Sequence, residues 1–102
     1  MEINVNENKK RAELYSKEKT FSFIDETLPD GEHHYHNGFI IEVNDVSIKF
    51  FDVVNKIEIP LSLEKCFIDV SKKRDLSPEI ALEIMFEFYK NKEVEKKEVN
   101  EK

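Results

Sequence analysis

Cysteine occurs once, glycine twice and proline three times in these 102 residues, and each scarcity removes an option. A single thiol, Cys66, excludes an internal disulfide framework and a CxxC metal site. Set in an apolar, strand-like run, it reads as a buried inert side chain rather than a nucleophile or redox sensor. So few glycines and prolines, beside a dense supply of Ile, Val and Phe, exclude a disordered middle portion. No apolar run approaches the roughly 18 residues that span a bilayer, and the N-terminus lacks the basic-then-apolar layout of a secretion signal. The expected address is the cytoplasm, away from membranes. Positive charge is short as well: 16 Lys and Arg stand against 22 Asp and Glu, a formal net charge of −6. Bulk attraction to nucleic acid is disfavoured, because phosphate affinity rests on clustered Lys and Arg. Catalytic signatures are missing too. There is no Gly-rich phosphate loop, nucleophile elbow or zinc-protease helix motif, and the acids are not paired by spacing, so neither an enzyme nor a cofactor is expected.

What is present is alternation. A chain of this length builds one domain with one modest core. Thr20 to Asp25 alternates, with Phe21 and Phe23 on one face. Leu28-Pro29-Asp30-Gly31 then reverses the chain, because proline presets a turn position and glycine tolerates positive φ. A second strand runs from about His33 to Asn44, with Tyr35, Phe39, Ile41 and Val43 on one face and His34, His36, Gly38, Ile40 and Glu42 on the other. Gly38 is its expected bend, where the missing Cβ lets two layers approach. Asn44-Asp45 is a tight reversal, Val46 to Asp52 a third strand, and Ile57 to Ile59 a fourth that ends at Pro60. Ser62-Leu63-Glu64 is a one-turn connection to a fifth strand, Cys66 to Val70.

Helices flank the strands. A charged N-terminal stretch, 1–19, is an arm or helix that Asn6 or Asn8 would cap. Ser77-Pro78-Glu79 is the clearest helix start in the chain: a cap, a proline at the first helical position and an acid at the positive end of the dipole. That helix is expected over 77–92, followed by a disordered charged tail, 93–102. The strands between, 20–71, form a five-stranded bent antiparallel small β-barrel, giving a mainly β chain with flanking helices.

This layout resembles the Sm-like small β-barrel of the Sm and Lsm ring proteins. Gly38, Ile40, the Asn44-Asp45 turn, Ile48 and Phe50 carry the likeness, with Ile57 to Leu61 and Cys66 to Val70, about half the chain. In the family's first motif a glycine is followed six positions later by an acid, then by a hydrophobic residue and an asparagine of the RNA base pocket. Counting from Gly38, Asn44 stands at the acid position, and Ser47 and Ile48 stand at the other two. A shift by one restores Asp45 and Ile48 but puts Lys49 in place of the asparagine. The RNA-pocket asparagine is absent on either count, and so is the glycine of the second motif in Cys66 to Val70. What the resemblance implies is the architecture, with ring or dimer assembly and RNA as the family's ligand.

Three groups of side chains are candidates for function. The helix over 77–92 carries Ile80, Ile84, Met85, Phe86, Phe88 and Tyr89 around one narrow stripe of Glu79, Glu83, Glu87 and Lys90, more apolar surface than a lone surface helix shows. Those six are the interface candidates, and the partner is a second copy or another protein. Two basic triplets, Lys9-Lys10-Arg11 and Lys72-Lys73-Arg74, with Tyr35 as a stacking ring, are the nucleic-acid candidates. His33, His34 and His36 form the one histidine cluster, read as a solvated strand face rather than a metal site. The leading expectation is a non-enzymatic adaptor or assembly protein acting through the C-terminal helix or the barrel edge. An Sm-like RNA-binding protein using the basic triplets is its rival.

Overall fold

The computed structural model describes residues 3–100. A helix, α1 (Val5–Glu18), precedes five strands, β1 (Ser22–Thr27), β2 (His33–Val43), β3 (Ser47–Asp52), β4 (Ile57–Ser62) and β5 (Cys66–Val70), and a second helix, α2 (Pro78–Asn100), follows. All strands are antiparallel in the order β4-β3-β2-β1-β5. The expected five strands and two flanking helices are there. Residues from the two outermost strands, Leu61 of β4 and Cys66 and Ile68 of β5, share one buried cluster. The sheet is therefore strongly curled.

It is not closed into a barrel: α1 covers the β5 edge, and Pro60 blunts the β4 edge. In β5 the Ser71 N–H bonds the Phe21 carbonyl, so antiparallel alternation turns Cys66, Ile68 and Val70 toward the free edge. There α1 seals them: Asn8 Nδ2 donates to the Cys66 carbonyl at 2.6 Å and to the Leu63 carbonyl at 3.0 Å, and Arg11 Nη1 donates to the Ile68 carbonyl at 3.1 Å. The Val70 N–H bonds the carboxylate of Asp69. On β4 the Leu63 N–H bonds the Val46 carbonyl, which by the same alternation points Pro60 away from β3. Its missing N–H costs the ladder nothing, and β4 runs on to Ser62 instead of stopping at Pro60.

Gly38 is the pivot of β2. It pairs with Ser22 of β1 and with Asp52 of β3, so the strand passes there from one half of the sheet to the other. A Cβ built on it would stand 1.7 Å from the Phe51 carbonyl oxygen. A second irregularity is a bulge at Ile41, between the pairs Ile40↔Phe50 and Glu42↔Lys49. The extra residue reverses the alternation, so Val43 packs in the cluster of Ile40 and Ile48 instead of sharing a face with Phe39 and Ile41.

The sheet divides two cores. On the concave side Ala12 of α1 meets Ile24, Ile40, Ile48, Phe50, Leu61, Leu63 and Ile68; on the convex side Ala81 and Met85 of α2 meet Phe21, Phe39, Phe51 and Val53. Asn4, not Asn6 or Asn8, caps α1 by accepting the Glu7 N–H, which frees Asn8 for its buried role. Helical backbone continues past the expected end at Lys92 to Asn100, through Glu- and Lys-rich sequence with no glycine or proline to stop it. The last two residues of the expected tail lie outside the described residues.

Candidate functional site

The helix start at Ser77 forms as its residues dictate: the Ser77 hydroxyl accepts the Ile80 N–H at 3.2 Å. From there the 3.6-residue period sorts the six interface candidates. Met85 is buried, Phe88 packs on Phe51 with ring centroids 4.9 Å apart, and Tyr89 lies 5.9 Å from the same ring. The Tyr89 hydroxyl donates to Glu58 Oε2 at 3.0 Å, and Lys92 bonds the other oxygen of that carboxylate. The Lys92 ammonium holds the Glu58 carboxyl below its ordinary value, while burial first and Glu58 second push the Tyr89 phenol up. These residues make up much of the convex core, so most of the helix's apolar excess is covered by the chain itself.

Two side chains are left out. Ile80 is 50% and Phe86 53% exposed, on opposite flanks of α2 with the Glu83 and Glu87 stripe between them. Each borders a groove. Ile80, Ile84 and Phe88 line one of about 470 Å³ rimmed by Lys56, Glu83 and Glu87. Phe86 stands in one of about 390 Å³ between the end of α1 (Ser16, Lys19) and α2, with Phe39, Ile41, Met85 and Tyr89 in its walls. This second groove is the more apolar, and the Ile41 bulge forms part of it.

The basic triplets come apart in the fold. Lys9 pairs with Asp45 at 3.0 Å, which raises the lysine's pKa, and Arg11 is spent on the β5 edge with its guanidinium 5.6 Å over the Phe67 ring. Lys10 and Arg74 are exposed. Lys72 and Lys73 border a cleft of about 430 Å³ whose walls include Phe23, Asn37, Asp69 and Val70. Tyr35, 63% exposed, stacks on Phe23 with centroids 5.7 Å apart, so the structure joins Tyr35 to the second triplet through Phe23.

The histidines are not uniformly solvated. His33 meets Asp25 at 2.6 Å on the convex face, whereas His36 sits half-buried on the concave face between Glu26 (3.2 Å) and Asp52 (3.4 Å). The curl of the sheet closes over His36. Among the described residues no group of three His, Cys, Asp or Glu is placed to hold a metal ion. Asp52 escaped the sequence reading: nearly buried, its carboxylate takes the N–H groups of Val54 and Asn55 and the Asn55 amide, which fixes the β3–β4 turn. Its acid-then-asparagine spacing was the available signal.

No protein-family model matches this sequence, and none of the curated proteins searched matches it. No helix among the described residues is long and apolar enough to cross a membrane.

Proposed function

We propose that this chain is a non-enzymatic, cytoplasmic assembly protein of Sm-like architecture whose first partner is a second copy of itself, gripped through Phe86. One observation carries the reading: a half-exposed phenylalanine projects beside an apolar groove of about 390 Å³ on the same surface. A twofold contact needs one patch to supply both projection and recess, and this patch supplies both. The edges argue in the same direction. With β5 sealed by α1 and β4 blunted by Pro60, strand-to-strand joining of copies is disfavoured and the helix is left as the assembling surface.

Sedimentation velocity over a wide concentration range tests this. The wild type is expected to gain mass with concentration, and Phe86→Glu to stay monomeric with an unchanged melting temperature. Phe88→Glu, which places a charge against Phe51, is expected to unfold instead. A wild type that remains monomeric at the highest concentration would sink the proposal.

A further inference from the structure

The cleft bordered by Lys72 and Lys73 lies on the convex side of the sheet, and no residue of α2 lines it. Asn37, Phe23 and Asp69 are direct partners on β2, β1 and β5, so one cross-strand row forms its floor. Tyr35 stacks on Phe23 with centroids 5.7 Å apart and is not among the lining residues, so it braces that ring from outside the cleft. Val70, exposed at the end of β5, adds apolar surface, and Lys72 and Lys73 complete the wall. That wall is tied down. The Ser71 N–H bonds the Phe21 carbonyl, the Ser71 hydroxyl donates to Asn37 Oδ1 at 2.6 Å, and the Lys73 N–H donates to Ser71 Oγ at 3.2 Å. Both lysines therefore spring from backbone fixed to β1 and β2, which lowers the ordering cost of binding.

Charge sets the kind of ligand. Among the described residues neither lysine is in an ion pair, and the one acid of the lining, Asp69, accepts the Val70 N–H at 2.8 Å. Two ammonium groups and one carboxylate leave the cleft one positive charge, in a chain whose net charge is −6. The distant acids do not cancel it, because screening confines each exposed charge to about 8–10 Å. One polar group is also left to give direction: Asn37 Oδ1 is taken by Ser71, while Asn37 Nδ2 donates to no group among the described residues. The volume, about 430 Å³, falls in the range of roughly 300–1,000 Å³ that small molecules occupy, and an apolar floor with a few polar groups at one side is their usual lining.

We infer that this cleft binds a small monocarboxylate with an aromatic body, the ring lying against Phe23 and Val70 and the carboxylate held by Lys72 and Lys73 with Asn37 Nδ2 as a third donor. Each half of such a ligand meets its complement. The ring finds apolar surface, and its single negative charge matches the single positive charge of the cleft. The site goes beyond self-assembly through Phe86 and does not rest on it, since α2 takes no part in the lining.

Titration of the full chain with phenylpropionate, followed by nuclear magnetic resonance of the backbone amides, tests the site. Saturable shifts are expected at Phe23, Asn37 and residues 70–73. Phenylpropionamide, which keeps the ring and loses the charge, should bind about tenfold more weakly, the worth of one charge-assisted hydrogen bond, and acetate, which keeps the charge and loses the ring, should not saturate. Replacing Lys72 and Lys73 together with Gln should weaken phenylpropionate about tenfold or more while leaving the melting temperature unchanged, since both lie on exposed or half-buried positions without ion pairs. The amide and acetate comparisons use the wild type, so they decide the matter even if the double variant misfolds. No saturable shift with phenylpropionate, shifts centred elsewhere, equal affinity for the amide or for acetate, or full affinity in a folded double variant would each overturn the inference.

Discussion

Replacing Gly38 with alanine adds one methyl group at the place where the fold has least room for it. That carbon would sit 1.7 Å from the Phe51 oxygen, 2.9 Å from the Phe51 carbonyl carbon and 3.2 Å from Cε2 of Phe50. The first two are backbone atoms of a buried strand, so no rotamer change relieves the clash. Either β2 or β3 must move by more than an ångström, and Gly38 is paired on both sides. Overpacking costs about 1–3 kcal/mol, and each ladder hydrogen bond loosened by the shift adds about 1 kcal/mol, for about 3–5 kcal/mol in all. A domain of this size holds about 5–15 kcal/mol. At about 4–8 °C per kcal/mol, thermal melting followed by circular dichroism should fall by about 12 °C or more, or the folded signal should vanish. Gly31 is the matched control. Its φ of 89° penalises alanine, but nothing lies within 4 Å of the new carbon, so the cost should be about 1 kcal/mol. A Gly38→Ala protein that melts within about 4 °C of the wild type, or no lower than Gly31→Ala, would refute the reasoning.

Asn8→Ala leaves two carbonyls at the β5 end of the sheet without their donor and should cost about 2–4 kcal/mol in urea unfolding; a loss under 1 kcal/mol would mean that water replaces the amide. Asp52 should set part of the acid limb of stability. Burial by itself would raise its pKa, but hydrogen bonds from Asn55, Val54 and His36 outweigh burial and lower it. A carboxyl lowered in the folded state adds stability that is full above its unfolded value of about 4 and is lost as pH falls through the folded value. Asp52→Asn should thus flatten the fall in urea midpoint below about pH 4, and parallel curves for the two proteins would count against this account. Burial, with Glu26 and Asp25 nearby, pushes the Cys66 thiol up to about 12. At pH 8 a thiol reagent should label it only in denaturant, and rapid stoichiometric labelling of the folded protein would contradict its burial.

Much of this fold was legible because alternation and punctuation are local. Odd and even positions of β1 and the first half of β2 separate the two faces as their sequence implies, and Ser77-Pro78 starts α2 where it should. The lone glycine in a long alternating run marked the close approach. Closure was not legible, since it depends on whether Asn8 and Arg11 reach carbonyls 55 to 58 residues away. The Ile41 bulge was equally hidden: nothing in Phe-Ile-Ile-Glu-Val says which residue is extra, yet it decides the side on which Val43 packs. The candidate surfaces show the same division. Helical spacing found the apolar helix, but only packing against Phe51 divides Phe88 from Phe86, and only the β1–β2 register brings Tyr35 beside Phe23.

The bond from Asn8 to Leu63 joins a segment made early to one made late. At roughly 5–20 residues per second of synthesis, the first helix waits on the order of 3–11 s before its acceptors have been polymerised. Until then the nascent sheet lacks β5, and β1 has one side open to neighbouring chains on the same message. Slowing the ribosome between Val46 and Leu63 lengthens that wait without changing a single atom of the product. Soluble yield would then depend on codon choice in that interval, while the purified protein's melting temperature would not.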